Sequence, residues 1–135
     1  MKCPVCDREL SELVLGDLRV DVCRGGCGGI WFDNFELQKA DHPSDFAGVV
    51  LEEVERDDSI QVDANRRRRC PRCEELVMMR HFFSQKRRVE VDTCPGCGGT
   101  WLDHGELDQI RRESLADADR RRTVEDYFAG RPKRA

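Results

Sequence analysis

Hydrophobic and polar residues alternate in two stretches of the chain, and each stretch predicts an antiparallel hairpin. In the first, residues 13–15 lead into a Gly-Asp turn, and residues 18–22 then alternate apolar with polar positions. In the second, residues 76–83 form the outgoing strand, residues 84–86 the turn and residues 89–92 the returning strand. A period of two buries one face of a strand, so each hairpin has an apolar face to cover.

A helix start is predicted after each hairpin. Asp33 with Glu36, and Asp103 with Glu106, have the spacing of a capping box in which Asp replaces Ser or Thr. After the second start, apolar residues continue at helical spacing, which predicts a long helix over residues 103–129. The carboxylates are therefore interpreted as helix caps, and no catalytic cleft is predicted around them.

An acidic segment separates the two hairpins. Residues 41–65 contain eight acids and a single basic residue, Arg56. Within it, residues 44–56 predict a short helix capped by Ser44. We expect its apolar side to pack on the rest of the chain or on a partner, and that side contains Phe46, Val49, Val50 and Val54.

The cysteines show that the two hairpins belong to a duplicated unit. A Cys-Pro-x-Cys motif at residues 3–6 recurs at residues 70–73. A second motif, Cys-x₂₋₃-Cys-Gly-Gly-x-Trp, occupies residues 23–31 and recurs at residues 94–101. The two cysteine pairs are 16 residues apart in the first repeat and 20 in the second. Internal repetition of this kind predicts two copies of one structural module.

Two close cysteine pairs at this separation are typical of a tetrahedral zinc site. Each pair forms a tight knuckle, and the hairpin between the knuckles brings four sulfurs together. Iron also binds sites of four sulfurs and is the alternative metal. No export signal is recognised, so we expect the protein to be in the reducing cytosol, where disulfides are disfavoured. The first repeat has three residues between Cys23 and Cys27 where the second has two, so its site is expected to be less regular, weaker or more reactive.

Composition explains why metal would be needed. The chain has 135 residues, of which 39% are hydrophobic and 7% aromatic, and this is little for one well-packed core. A structural zinc site contributes folding free energy on the order of 10 kcal/mol, enough to replace missing apolar burial. No apolar run approaches the roughly 18 residues of a membrane span, and no membrane association is expected.

Charge divides the chain unevenly. The net charge is −4, but residues 1–65 hold 6 Lys/Arg against 15 Asp/Glu, whereas residues 66–135 hold 17 against 12. An acidic half joined to a basic half predicts self-association, a charged partner, or both.

The combined pattern resembles the bacterial zinc-ribbon family named after the transcription-factor-IIB-type zinc finger. The resemblance rests on features that occur in two tandem copies: both cysteine motifs, the Gly-Gly-x-Trp that follows them and the later Asp-x-x-Glu-Leu. The resemblance implies a zinc ribbon in each repeat, with one Zn²⁺ per ribbon. The implied ligands are Cys3, Cys6, Cys23 and Cys27 for the first ion, and Cys70, Cys73, Cys94 and Cys97 for the second.

The predicted fold is a small metal-stapled α+β protein with two tandem zinc ribbons, each made of a hairpin and two cysteine knuckles and followed by a helix. In chain order we expect a first ribbon with a short helix, an acidic linker, a second ribbon, a longer C-terminal helix and a basic tail. These segments span residues 1–40, 41–65, 66–110, 103–129 and 130–135.

The function predicted from these features is non-enzymatic. The leading hypothesis is binding of DNA or RNA, or association with transcription or translation, through the basic second ribbon. An adaptor that binds protein through the acidic linker or C-terminal helix is the alternative, and a thiol redox or metal sensor is a third. No small-molecule substrate is indicated. The candidate contact residues are Arg66, Arg67, Arg68, Arg69, Arg72, Arg80, Lys86, Arg87, Arg88 and, as a stacking platform, Trp101.

Overall fold

A computed structural model describes residues 1–40, 46–83 and 89–113 of the chain. These residues form a small α+β structure built on six antiparallel strands. The strands are β1 (Ser11–Leu15), β2 (Leu18–Val22), β3 (Ile30–Phe32), β4 (Met79–Phe82), β5 (Glu90–Thr93) and β6 (Thr100–Leu102). The helical elements are a 3₁₀ turn (Leu37–Lys39), helix α1 (Phe46–Glu52) and helix α2, whose described residues are 106–113.

Each repeat contributes three strands. Strands β1 and β2 form the first hairpin, which turns at Gly16 with φ +64°. Left-handed backbone of this kind costs glycine little. Strands β4 and β5 form the second hairpin, and its predicted turn at residues 84–86 lies outside the described residues. In both repeats the third strand follows the second cysteine knuckle.

The two repeats join edge to edge through their third strands. The strand order is β1-β2-β3-β6-β5-β4, so β3 pairs with β6 at the centre of one continuous sheet. Trp31 lies opposite Trp101 in that pairing, with Ile30 opposite Leu102. The two halves are therefore related by an approximate two-fold axis that passes between the tryptophans.

The two faces of the sheet bury different material. Aliphatic residues of the strands pack on one face against helices α1 and α2, and this cluster includes Val20, Phe32, Val91, Leu102 and Ile110. The other face carries the cysteines and both tryptophans in a second cluster. Strand alternation explains the division, because Ile30 and Phe32 point to one side of β3 and Trp31 to the other.

Helix α1 ends earlier than predicted. Its described residues are Phe46–Glu52, whereas the predicted helix continues to residue 56, and residues 44–45, with the predicted cap Ser44, lie outside the described residues. Leu51 is buried, whereas Phe46 and Val49 are exposed. Of the predicted apolar side, Val54 packs on the core, and Phe46 and Val49 do not. Gly48 decides the orientation, because a Cβ there would lie 2.7 Å from the Ala40 carbonyl oxygen.

Half of the predicted capping box forms, and in one repeat only. In α2 the Asp103 backbone N–H donates to Glu106 Oε2 at 3.0 Å, as the capping-box spacing predicts. The Glu106 N–H donates to the Asp103 backbone carbonyl at 3.1 Å, and the Asp103 carboxylate accepts from Arg68 and Trp101. In the first repeat Glu36 caps no helix with its side chain, and only the 3₁₀ turn Leu37–Lys39 follows. The Glu36 carboxylate instead accepts from the Arg19 backbone N–H and pairs with Lys39.

The rest of the predicted C-terminal helix, from residue 114 to residue 129, lies outside the described residues, as does the basic tail. Within α2, Leu107 and Ile110 are buried on the aliphatic face of the sheet. Among the described residues, the structure contains no helix with the length and apolar character needed to span a membrane.

Candidate metal centres and the groove between them

The first candidate metal centre lies where two knuckles meet at one end of the first hairpin. Its four sulfurs, from Cys3, Cys6, Cys23 and Cys27, all lie within 4.8 Å of one another. Cys3 Sγ is 3.5 Å from Cys27 Sγ, and Cys6 Sγ is 3.3 Å from Cys23 Sγ. The tight Cys-Pro-x-Cys turn also directs the Val5 and Cys6 backbone N–H groups at Cys3 Sγ, at 3.4 and 3.5 Å.

The second centre repeats this arrangement. Cys70, Cys73, Cys94 and Cys97 also place their sulfurs within 4.8 Å of one another. Cys70 Sγ lies 3.7 Å from Cys97 Sγ. The Cys73 backbone N–H donates to Cys70 Sγ at 3.2 Å, and the Gly96 N–H donates to Cys94 Sγ at 3.3 Å. The structure thus groups the eight cysteines into the two sets that the sequence repeat implied.

The donor chemistry of both sets fits Zn²⁺. Four sulfurs at a Zn–S distance of 2.3 Å lie about 3.8 Å apart in a tetrahedron, close to the sulfur separations here. All eight thiols are free of disulfides. Backbone N–H groups directed at the sulfurs are the outer hydrogen bonds that stabilise metal-bound thiolates. Zinc would be held by the cysteines alone in each centre, and its charge would offset half of the negative charge of the four thiolates.

Burial explains why the sulfurs need a cation. The hydrogen bond with Cys27, together with burial, raises the pKa of Cys3 above its ordinary value. Burial likewise raises the pKa of Cys23 to about 11 and that of Cys70 to about 12. The hydrogen bond with Cys3 lowers the pKa of Cys27 to about 6, and at Cys94, against the effect of burial, backbone N–H groups lower the pKa to about 7. At neutral pH the thiols with a raised pKa keep their protons until a metal displaces them, so metal binding releases protons and stabilises the folded state.

The extra residue in the second knuckle of the first repeat, between Cys23 and Cys27, forms a docking point for the linker. The Gly25 backbone N–H donates to the Glu55 carbonyl at 2.8 Å, and the Asp57 N–H donates to the Gly26 carbonyl at 2.8 Å. Gly26 packs directly on the cage, where a Cβ would lie 2.4 Å from Cys23 Sγ. The wider loop therefore does not open the first centre. Its sulfurs are covered more fully than those of the second, where Cys73 and Cys97 are both half-buried.

The tryptophans interlock the two repeats. The Trp31 ring lies over Gly99, where an added Cβ would be 2.2 Å from the ring. The Trp101 ring lies over Gly29 in the same way, and an added Cβ there would be 2.1 Å from it. Each indole N–H donates to the aspartate two residues later, from Trp31 to Asp33 at 3.1 Å and from Trp101 to its own Asp103 at 3.0 Å. Glycine is needed at both positions because the ring occupies the space of a side chain.

Trp101 is therefore not the predicted stacking platform. Both tryptophans have 0% exposure, so neither ring face is accessible to a base. Pairing of β3 with β6 buries them at the centre of the sheet, and no local pattern in the sequence indicates that pairing.

Three of the predicted basic contacts are engaged within the fold. Arg68 is buried, and its Nη1 donates to both Asp103 oxygens at 2.5 and 2.6 Å. Arg72 donates to Asp33 Oδ1 at 2.7 and 3.0 Å and so joins the two repeats. Arg80 donates to Asp92 Oδ1 at 3.3 Å and to the backbone carbonyls of Ala64 and Arg66. Arg68 is a buried counter-charge for Asp103, and its side chain is therefore not accessible to a nucleic acid, contrary to the prediction.

The remaining basic residues line a groove between the two first knuckles. Its volume is about 750 Å³, and it lies between the Cys3–Cys6 and Cys70–Cys73 turns. We call it the inter-repeat groove. Its cations are Lys2, Arg66, Arg67 and Arg69, and its acids are Asp7 and Glu74. Lys86, Arg87 and Arg88 lie outside the described residues.

Lys2 is the groove residue that sequence reasoning missed. The repeat alignment contained the signal, because Lys2 and Arg69 each precede the first cysteine of their repeat. Their backbones form equivalent bridges, Lys2 with Glu9 and Arg69 with Val77. Only the joining of the repeats brings these two equivalent positions to the same groove.

Comparison with known proteins adds one match. A zinc-ribbon family model of the TFIIB type, described as a transcription factor zinc-finger, matches residues 2–40 and 69–113. The two matched segments coincide with the two repeats and leave out the linker. No curated protein matches the chain, and no solved structure matches it.

Proposed function

Because the chain belongs to the transcription factor zinc-finger family, we propose that this zinc-binding protein binds nucleic acid in the inter-repeat groove and catalyses no reaction. The observation that carries the proposal is the convergence of four cations from both repeats on one groove. Phosphate contacts by Lys and Arg supply most of the sequence-independent affinity of nucleic-acid-binding proteins.

The groove cations are available for a ligand. Arg66, Arg67 and Arg69 are exposed, and among the described residues no hydrogen bond or ion pair engages their side chains. The neighbouring arginines Arg68 and Arg72, by contrast, are paired with aspartates. The exposed arginines therefore have guanidinium groups free to contact phosphates.

The surrounding charge limits the affinity we expect. A zinc ion with four thiolates has a formal charge of two minus, and both cages border the groove. Asp7 and Glu74 add two carboxylates at its rims. Binding should therefore be confined to a short stretch of phosphates and should weaken steeply with salt.

Fluorescence anisotropy with labelled DNA and RNA tests the proposal. We expect binding at about 50 mM salt and its loss near 200 mM. The variant R66A/R67A/R69A should lose at least about tenfold in affinity, and its salt slope should fall by roughly 2–3. The matched control R19A/R24A/R112A removes the same charge from exposed arginines outside the groove. Equal losses in both triple variants would reject the groove, and absence of wild-type binding would reject the function.

The closed coordination supports a structural and not a catalytic role for the metal. Each centre offers four sulfurs, which fills a tetrahedral zinc site and leaves no position for water or substrate. We expect metal analysis of the purified protein to give two zinc ions per chain and no visible absorption. Iron in place of zinc, with the colour of an iron–thiolate site, would contradict this assignment.

A protein adaptor is the second candidate, and one observation favours it. Phe46 and Val49 of α1 are exposed one helical turn apart, and Phe46 has 75% of its surface accessible. Apolar side chains at this spacing are typical of a helix that binds a partner groove. Affinity purification with and without nuclease separates the two functions. Partners that survive nuclease and are lost with F46A/V49A would favour the adaptor.

A further inference from the structure

The backbone is strained at one exposed aromatic residue. Phe35 has φ +72°, a left-handed conformation that L-residues with bulky side chains rarely adopt. Its equivalent in the second repeat is Gly105, with φ +90°. The repeat fold thus requires left-handed backbone at this position, and glycine is the residue that meets the requirement without strain.

The strain at Phe35 has no packing explanation. Its side chain is 71% exposed, so the ring contributes little to either core. The other non-glycine residues with positive φ, Asp7 and Glu74, occupy equivalent positions after the first knuckle of each repeat, so their conformation belongs to the shared fold. Strained residues with exposed side chains are found preferentially at functional sites.

Phe35 borders a cleft of about 330 Å³ at the junction of the repeats. This volume is at the lower end of the range for small-ligand pockets and suits one flat ring. The cleft presents a second aromatic residue, Phe83, together with the hydroxyl of Thr100. Two side-chain amides complete it, from Asn34 and Gln38, and amides pair with the edges of nucleobases.

The cleft and the inter-repeat groove are neighbours through one ion pair. Asp33 lines the cleft and binds Arg72 at 2.7 Å. Arg72 follows Pro71, which lines the groove. The ion pair therefore joins a residue of the cleft wall to the residue that follows the groove lining.

We propose that Phe35 is the platform on which an unpaired base of a single-stranded nucleic acid stacks, with its edge toward the amides of Asn34 and Gln38. The inference rests on the proposed function and adds a preference for single strands over duplexes. A duplex keeps its bases stacked inside the helix and can use only the groove.

The test compares labelled oligothymidylate and oligouridylate of about 12 nucleotides with a duplex of the same length. Phe35→Gly restores the residue type of the second repeat, so it should keep or raise the melting temperature. We expect it to weaken single-strand binding by about 5- to 100-fold and duplex binding by less than about twofold. Phe35→Leu keeps an apolar side chain without a ring and should weaken single-strand binding as much as Phe35→Gly does. Phe35→Trp keeps an aromatic ring and should bind single strands as tightly as the wild type.

Phe82→Ala is the matched control, because Phe82 is also an exposed phenylalanine and lines neither the groove nor the cleft; it should leave single-strand affinity unchanged. Unchanged single-strand affinity in Phe35→Gly, with binding still lost in R66A/R67A/R69A, would overturn the stacking proposal and leave the groove standing. Loss of a nuclease-resistant protein partner in Phe35→Gly, with nucleic-acid affinity unchanged, would overturn it in favour of a protein contact. Absence of any binding by the wild type would overturn both proposals together.

Discussion

Trp31 and Gly99 form one of the two reciprocal contacts that hold the repeats together. The ring lies where the side chain of residue 99 would be, and a Cβ there would approach Trp31 to 2.2 Å. Buried indole rings have little room to move in a close-packed core. A methyl group added at residue 99 would therefore displace the Trp31 ring and disturb the packing between the two repeats.

Gly99→Ala should destabilise the protein by about 1–3 kcal/mol, because the new methyl group overpacks the junction. Chemical denaturation followed by tryptophan fluorescence measures the change. In a Trp31→Leu background the same substitution should cost much less, because the clashing ring is gone. Equal costs in both backgrounds would show that Trp31 is not the cause.

Glu106 is a residue whose ionisation opposes folding. Burial, and then the neighbouring Asp103 carboxylate, raise the pKa of Glu106 to about 8 from an ordinary 4.5. Between these two values the unfolded chain has released this proton and the folded protein keeps it. The contribution of Glu106 to stability is therefore fully present below pH 4.5 and is lost as the pH rises toward 8.

Glu106→Gln should remove that pH dependence while retaining an acceptor for the Asp103 backbone N–H. We expect the variant to match the wild type near pH 5 and to be more stable by roughly 1–3 kcal/mol near pH 8.5. Denaturation curves at the two pH values provide the measurement. Parallel changes of stability with pH in both proteins would contradict the raised pKa.

At the scale of elements, the second cysteine knuckle of the first repeat and the linker form one unit. The additional residue in the knuckle allows two backbone hydrogen bonds with the linker, through Glu55 and Asp57. The linker is tied to the aliphatic face as well, where Leu51 is buried and Glu52 pairs with Arg111 of α2. An irregular spacing in the sequence thus becomes a specific contact in the fold.

The second centre should release its zinc first. Two of its cysteines are half-buried, whereas three of the four in the first centre are buried and the linker covers its second knuckle. Competition with a chromogenic chelator should therefore show two phases of equal amplitude. Cys97→Ser should abolish the fast phase alone. A slow phase that disappears in this variant would reverse the assignment.

At the scale of the whole molecule, the two repeats pack against each other as the subunits of a symmetric dimer do. The sheet runs unbroken from β1 to β4 through the β3–β6 pairing, and each tryptophan crosses onto a glycine of the other repeat. Sulfurs of both centres and both tryptophans share one apolar cluster. Because neither repeat buries its tryptophan alone, we infer that the repeats fold as a single cooperative unit.

Removal of one metal should therefore weaken both halves. Cys70→Ser, which disables the second centre, should lower the stability of the whole protein in a single transition and shift the emission of both tryptophans to longer wavelength. Thermal denaturation recorded by circular dichroism and by fluorescence provides the comparison. Two separate transitions, one of them at the wild-type temperature, would show that the repeats are independent.

The sequence by itself determined the local features of this protein. Cysteine spacing identified both sets of four sulfurs, and the period of two located both hairpins, because these signals depend on residues close in the chain. One half of the capping box predicted at Asp103 and Glu106, the hydrogen bond from the Asp103 N–H to the Glu106 side chain, formed for the same reason. The box at Asp33 and Glu36 failed because those carboxylates found other partners, Arg72 and Lys39, of which the first comes from the other repeat.

Only the tertiary structure decided how the repeats meet and which side chains remain accessible. Pairing of β3 with β6 buried Trp101, and the aspartates around it drew Arg68 out of solvent. The same pairing brought Lys2 to the arginines of the second repeat and left Phe35 exposed beside a cleft. These outcomes depend on contacts between residues some 70 positions apart, and a single sequence contains no local periodicity that specifies them.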